Sequence, residues 1–411
     1  MIEKLRILIA FINARYFVRF DKIKQEKLYA KQASFLCKNS AFYSSGEFPL
    51  MNKKLLMENF DSINTVGLTK ETALSFAIDC ERTREFNKKL HGVTVGLSSG
   101  TSGHRGVFLV SDAERALWAG TILAKTLPRG KLFGHKIAFF MRANSELYET
   151  VSSRFIQFEF FDLEVDMSAH LKGLEDFQPT ILVAPPSALL KIAKESHLRP
   201  MKVISIAEVL EARDAVKISD GLGVSVVHQI YQCTEGFLAA TCEYGTLHLN
   251  EEVCHIEKEW LDERRFIPIV SDLKRRAEPI MNYRLNDILM VKSESCPCGN
   301  KALALEKIEG RQDDMFIFNG LNGGNVEIFP DFIRRCLLFS DEIEDYRVVQ
   351  NSRRELDVLA DNLSETTCAQ VQMEINKLAR DRAFIAPNIN FKVYEHTNNK
   401  KLRRIESHVE R

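Results

Sequence analysis

From residue 136 onward, short apolar runs alternate with longer segments of helical periodicity, and this rhythm constrains the fold more than any other feature of the chain. The spacing predicts strands at 137–141, 155–161, 181–184, 203–207 and 224–230. Helices are expected at 145–153, 168–177, 187–197 and 208–219, and Pro185-Pro186 stops the third strand. Apolar strands separated by helices imply a parallel sheet with right-handed crossovers. Ligands of such sheets sit at the carboxyl ends of the strands. Tyr231-Gln232-Cys233-Thr234-Glu235-Gly236 begins where the last of these strands ends, which places it correctly for a site.

Around this segment the character changes. Residues 1–90 read as mainly helical, and 245–310 as short strands and turns. Beyond Gly310 strands at 347–349, 355–360 and 389–394 with a helix at 365–380 suggest a small α+β unit. The expected fold class is α/β: a large N-terminal domain, residues 1–312, with a mostly parallel sheet, flanking helices and a β-rich subdomain, then a small mobile α+β domain, residues 313–411. Charge is balanced at 56 basic against 56 acidic residues, so no global field points to nucleic acid. No apolar run approaches the roughly 18–20 residues of a membrane span. Residues 5–20 are apolar but interrupted by arginines. They read as an amphipathic helix packed on its own domain in preference to one lying on a membrane surface. Nine irregularly spaced cysteines suit a reducing, cytoplasmic setting better than a disulfide framework.

Residues 98–106 read Ser98-Ser99-Gly100-Thr101-Ser102-Gly103-His104-Arg105-Gly106, ahead of a helical run at 111–125. Glycines let backbone approach a ligand closely, and the short hydroxyls supply donors, so the loop can wrap the phosphates of a nucleotide. The plainer reading is a flexible Ser/Gly surface loop. It is no P-loop, because no Gly-Lys-Ser/Thr ends it.

Four further segments follow in order: Tyr231–Gly236, Tyr283-Arg284-Leu285-Asn286-Asp287, Gly310-Arg311-Gln312-Asp313-Asp314-Met315 and Lys400-Lys401-Leu402-Arg403-Arg404. With the Ser/Thr/Gly loop, this series resembles the adenylate-forming superfamily of acyl- and aryl-CoA ligases, adenylation domains and luciferases. Within it the chain resembles most the phenylacetate-CoA ligase and coenzyme F390 synthetase branch, from about residue 90 to the end.

The resemblance implies ATP-dependent activation of a carboxylic acid as acyl-AMP, with release of pyrophosphate and transfer to a thiol. The acceptor would be CoA or the phosphopantetheine of an acyl carrier protein. Ser98, Ser99, Gly100, Thr101, Ser102 and Gly103 would hold the β- and γ-phosphates. Arg105 would stand in for the lysine that many relatives carry there. Tyr231 would stack on adenine. Thr234 and Glu235 would meet the α-phosphate and Mg²⁺, an ion that one carboxylate plus phosphates suits. Asp287 would accept from the ribose hydroxyls and Arg311 would contact ribose or phosphate. Ile206-Ala207-Glu208 is similar to the family's Gly-Ala-Glu adenine segment, with its glycine replaced, so Glu208 is a weaker member of the set. Asp313 falls at the interdomain hinge, and Lys401, with Lys400 as the alternative register, at the near-terminal lysine that reaches the acyl carboxylate.

Cys296-Pro297-Cys298-Gly299 can offer two thiolates to one ion, and some relatives of this branch hold a structural zinc. Cys242, with Cys254 or His255, would complete the four ligands such a site wants. Phe139, Phe140, Met141 and Ala143 lie at a strand end. They favour an aromatic or otherwise apolar acid if they line a pocket, although they read equally as core. Two other functions fit the pattern: adenylyl transfer to a hydroxyl-bearing cofactor, as in the F390 synthetases, and a non-catalytic nucleotide-binding protein on the same fold.

Overall fold

The computed structural model describes residues 2–83, 85, 87–97, 106–141, 156–163, 165, 167–338, 342–343, 345–394 and 403–409. The chain forms two compact units, Met1–Leu285 with Met290–Lys307, and Asn286–Leu289 with Ile308–Arg411.

In the first unit the expected helical N-terminus is present as Ile2–Ile12, Lys22–Asn39, Lys53–Glu58, Phe60–Ile63 and Lys70–Thr83. Val93–Leu97 and Val107–Ser111 pair antiparallel, with Leu97 opposite Val107, so they bracket the Ser/Thr/Gly loop. The helix Asp112–Thr126 follows at once. Ser111 caps it by accepting from the Glu114 N–H while the Glu114 carboxylate accepts the Ser111 N–H, a capping box that fixes where the helix starts.

The parallel sheet runs in the order Ile156–Asp162, His135–Met141, Ile181–Ala184, Lys202–Ser205, Val227–Cys233. Both faces are buried, as such a sheet requires. Ala138, Phe140, Leu182 and Val203 pack one way against Leu189 and Ile218. Ile137, Phe139, Ile181, Val183 and Ile204 pack the other way. Phe140 stacks on Phe161 with centroids 4.7 Å apart, so Phe139 and Phe140 are core residues. Ala143 and the expected helix at 145–153 lie outside the described residues.

The crossover helices are Met167–Phe177, Pro186–Glu195 and Ala212–Leu222. The last begins four residues later than the periodicity predicts. Ala207 takes φ +65°, which turns the chain and breaks any helix there. Beyond Val227–Cys233 the sheet continues antiparallel through Gly236–Thr241 and Leu247–Leu249. It extends further through the first-unit ends of Ala304–Arg311 and Asp287–Val291, then Arg265–Asp272 and Cys254–Trp260.

The second unit has a sheet in the order Asn388–Val393, Glu355–Ala360, Tyr346–Ser352, Ile405–Ser407, with the helix Glu365–Asp381. The strands and helix read from the sequence are all present. A hairpin, Phe316–Asn319 with Asn325–Ile328, and a helix, Pro330–Leu338, complete the unit and were not foreseen. Its core centres on Phe316, Phe318, Val348, Val358, Val371, Ile375 and Phe384. Phe318 and Phe384 stack 4.4 Å apart.

Candidate functional site

The strand Val227–Cys233 ends at the carboxyl edge of the parallel sheet and turns directly into Gly236–Thr241. Thr234 and Glu235 form that turn, half-buried, and the Thr234 hydroxyl donates to Glu235 Oε2 at 2.9 Å. Tyr231 is only 7% exposed within the strand. The Tyr283 phenol meets Glu235. Burial first, then the Glu235 charge, drives that phenol's pKa well up, so Tyr283 remains a donor.

Arg275 and Glu278 tie this turn to the base of the Ser/Thr/Gly loop. The Arg275 guanidinium donates to the Thr234 carbonyl and, at 2.8 Å, to Glu278 Oε2. Glu278 also accepts the Leu109 N–H at 2.7 Å, on the strand that leaves the loop. Burial pushes the Glu278 carboxyl up to about 7, while Arg275 and the Leu109 N–H pull it back. Glu114, the capping residue of the helix after the loop, accepts the backbone N–H groups of Arg276 and Ala277, the latter at 2.9 Å. Loop base, helix start and the Thr234–Glu235 turn are therefore one hydrogen-bonded frame. Sequence reasoning missed Arg275, Glu278 and Glu114, and it quoted Tyr283 within its motif without giving it a role. The signal for Arg275 and Glu278 is the charged run Asp272-Leu273-Lys274-Arg275-Arg276-Ala277-Glu278 between apolar strands, in a chain where buried charges need partners.

Ser98, Ser99, Gly100, Thr101, Ser102, Gly103 and Arg105 lie outside the described residues, as do Lys400 and Lys401. Glu208 sits past the strand Lys202–Ser205 and accepts the Ser187 N–H at 3.2 Å, near the start of the helix Pro186–Glu195. In the second unit Asp287 and Arg311 face each other, Nε to Oδ1 3.8 Å, both partly exposed. Asp313 is exposed and accepts from the Asn286 side chain. Its neighbour Asp314 is buried and pairs with Arg403, which also reaches Glu406 at 3.5 Å. Arg404 is buried, pairs with Asp345 at 3.5 Å and lies over the Tyr346 ring. The two arginines of the C-terminal basic segment thus have packing partners of their own.

The cysteines assemble differently from the expectation. Among the described residues, Cys242, His248, Cys296 and Cys298 bring one ligand atom each to within 4.8 Å of the others. Cys242 Sγ is 3.6 Å from Cys296 Sγ, and Cys298 Sγ is 3.3 Å from His248 Nε2. The Ala302 carbonyl is 3.1 Å from His248 Nδ1, so that nitrogen carries the proton and Nε2 keeps its lone pair toward the thiols. Burial opposes ionisation of Cys296, but hydrogen bonds from Thr246 and the Cys298 N–H help lower it to about 6. Gly299, at φ +72°, closes the turn that aims both thiols inward.

Cys254 and His255 are not members. An ideal Cβ on Gly236 would stand 3.9 Å from Cys254 Sγ, whereas the cluster gathers at Cys242, the other end of that strand and roughly 20 Å away at ~3.3 Å per residue. Burial holds the Cys254 thiol protonated. The His255 ring is engaged by Gln25 Oε1 at 3.1 Å and Glu257 at 3.5 Å. His248 escaped the sequence reading because, between Leu247 and Leu249, it looks like one position of a short strand.

No family model matches the chain. The phenylacetate-coenzyme A ligase of Thermus thermophilus is 26% identical over 212 residues, 45% of this chain and 45% of that protein, so the match spans under half of the curated relative's length. A 2-hydroxyisobutyryl-CoA ligase solved in a postadenylation state with 2-HIB-AMP is similar over 99% of this chain and 89% of its own, at 15% identity and a TM-score of 0.65. An anthranilate CoA ligase with anthranoyl-AMP is similar over 77% of this chain and 67% of its own, at 15% identity and a TM-score of 0.52. The fold class and the family resemblance read from the motifs are both borne out. The chain has the fold of the adenylate-forming ligases, and just under half of it is similar in sequence to a phenylacetate-CoA ligase.

Proposed function

We propose that this protein activates a carboxylic acid with ATP and passes the acyl group to a thiol; the likeness to a phenylacetate-CoA ligase, and no longer Phe139 and Phe140, favours an aromatic or otherwise apolar acid. A carboxylate oxygen would attack the α-phosphorus, and the bond to pyrophosphate would break. The thiol would then attack the acyl carbonyl and release AMP. The observation that carries this reading is the buried frame in which Arg275 and Glu278 join the base of the Ser/Thr/Gly loop to the Thr234–Glu235 turn at the sheet's carboxyl edge. A loop that wraps phosphates and a carboxylate that balances their charge must be held together before reaction, because such transfer is catalysed by positioning and electrostatics.

In this reading Ser98–Gly103 and Arg105 hold the β- and γ-phosphates, Thr234 the α-phosphate, and Asp287 with Arg311 the ribose. Lys401 reaches the acyl carboxylate, and Asp313 is the hinge at which the chain beyond it turns between the half-reactions. Glu235 would hold Mg²⁺, which neutralises phosphate charge when bound. Its half-exposed carboxylate, oriented by the Thr234 hydroxyl, fits a hard cation that keeps several waters. CoA is the favoured acceptor, because the relatives are CoA ligases.

The test is ATP–pyrophosphate exchange over a panel of aryl and fatty acids, repeated with CoA and with a phosphopantetheinylated carrier protein. Acid-dependent exchange followed by free AMP supports the reading. A product that keeps AMP supports adenylyl transfer to a hydroxyl, and absence of exchange with every acid supports a binding protein.

For the cysteine cluster, we propose a structural zinc held by Cys242, His248, Cys296 and Cys298. Three thiols and an imidazole with its outer nitrogen already bonded to a carbonyl match what zinc prefers, and four protein ligands leave no open position for water.

A further inference from the structure

The helix Ile2–Ile12 packs on Asp112–Thr126 by one side only. Ile7 and Ala10 are buried there, and Gly120 provides the closest approach, since a Cβ on it would stand 2.5 Å from the Ala10 Cβ. Glu3 pairs with Arg115 at 2.7 Å on the same side. Arg15 then locks the helix end by donating to the carbonyls of Ala124, Leu127 and Pro128 at 2.6–2.9 Å. The packed side is therefore fully used.

The opposite side is the unusual one. Ile2, Leu5, Ile9 and Ile12 recur at three- and four-residue intervals and face outward, with Leu5 57% and Ile9 50% exposed. Phe17, 72% exposed, continues the patch past the helix end. A surface helix ordinarily turns its polar face to water, and here the outward face is aliphatic. Lys4 and Arg6, both exposed, flank it on either side. Residues 1–31 hold eight Lys/Arg against three Asp/Glu in a chain that is neutral overall. Among the described residues no helix is long and apolar enough to cross a membrane.

We propose that this face docks on an anionic lipid bilayer, lying in its plane with Leu5, Ile9 and Ile12 among the acyl chains and the flanking cations at the headgroups. An outward apolar face bordered by Lys and Arg, ending in an aromatic residue, is the pattern of an interfacial helix. The local excess of positive charge supplies the attraction to anionic headgroups. Tight packing on the helix Asp112–Thr126 leaves the face presented without unfolding.

The test uses the full chain and two vesicle preparations, phosphatidylcholine alone and phosphatidylcholine with one quarter phosphatidylglycerol. Wild type is expected to co-sediment with the anionic vesicles, less so at high salt and weakly with neutral ones. Leu5→Ser with Ile9→Ser should lower the partition coefficient at least about tenfold with an unchanged melting temperature, because these side chains face solvent in the free protein. Lys4→Gln with Arg6→Gln should lower binding to anionic vesicles and leave the weak neutral binding as it is. Ile9→Trp should give a blue-shifted emission on anionic vesicles over the background of Trp118 and Trp260. Wild type remaining in the supernatant with both preparations would overturn the proposal, as would undiminished binding by the Leu5/Ile9 variant. So would a concentration-dependent dimer that this variant abolishes in the absence of vesicle binding, which would make a second copy the occupant.

Discussion

Arg275→Met removes the guanidinium hydrogen-bonded to Glu278 Oε2 and, with it, the donor to the Thr234 carbonyl. Glu278 has a side chain 1% exposed, and its carboxyl lies near 7 with Arg275 present. A carboxyl raised from 4.5 to about 7 contributes its stability in full below about pH 4.5, and that contribution is lost as pH rises through 7. In wild type the loss levels off above 7, at roughly 3 kcal/mol, because the carboxylate then ionises beside Arg275. Without Arg275 the carboxyl stays protonated further up the scale, and the loss continues. Near pH 6 the variant should cost about 1–3 kcal/mol, the worth of hydrogen bonds from a charged donor. Above pH 7 the difference from wild type should widen by up to about 1.4 kcal/mol per pH unit. Urea unfolding followed by tryptophan emission reads this directly, since Trp118 and Trp260 both lie in the first unit. In a Glu278→Gln background the same substitution should show a cost that does not change with pH. A cost that is flat from pH 6 to pH 8 in the wild-type background, or one that climbs equally in the Gln background, would refute the coupling.

Asp287→Ala should raise the KM for ATP about tenfold or more with little change in stability, the effect of losing a hydrogen bond to a charged group worth roughly 1.5–3 kcal/mol; pyrophosphate exchange at varied ATP measures it. Lys401→Ala should slow adenylate formation by on the order of 10²–10³ while transfer from a supplied acyl adenylate changes less, and Lys400→Ala run beside it fixes the register. His228 is held down to about 4, by burial first and then by the Lys202 charge, so the folded state resists protonating it. Stability should therefore fall as pH drops from about 6.5 toward 4, and His228→Gln should flatten that limb by about 1–3 kcal/mol in acid urea titrations. Elemental analysis of untagged protein should find about one zinc per chain, and His248→Ala should lower both zinc content and melting temperature before it alters exchange kinetics.

The parallel sheet was legible because its strands are continuous apolar runs, and a strand buried on both faces can be nothing else in so short a length. Tyr231–Gly236 was legible for the same reason, since it is fixed by where a strand must end. The hairpin Phe316–Ile328 was not read, although Gly320, Gly323 and Gly324 mark its turn. The start of the helix at Ala212 depends on a left-handed Ala207, which no periodicity reports. Arg275, Glu278 and Glu114 were missed for a deeper reason. Leu109 and Glu278, or Glu114 and Ala277, are more than 160 residues apart, and a pairing across that span leaves no mark on local pattern. The cysteine ligands show both limits at once: the Cys-Pro-Cys turn is a local signal, while the choice of His248 over Cys254 or His255 is set by which strand end the turn faces.

The thiol cluster also has a redox consequence. Cys242, just past the end of the strand Gly236–Thr241, and Cys296, in the turn before Ala304–Arg311, hold their sulfurs 3.6 Å apart. With a metal bound, the thiolates' electron pairs are committed to it. Without one, the two thiols stand ready to lose two protons and two electrons to dissolved dioxygen and close a disulfide across 54 residues of sequence. Chelators in a purification buffer would then convert a question of metal content into one of oxidation state, and the shelf life of the protein would be set by air and reductant before it was set by temperature.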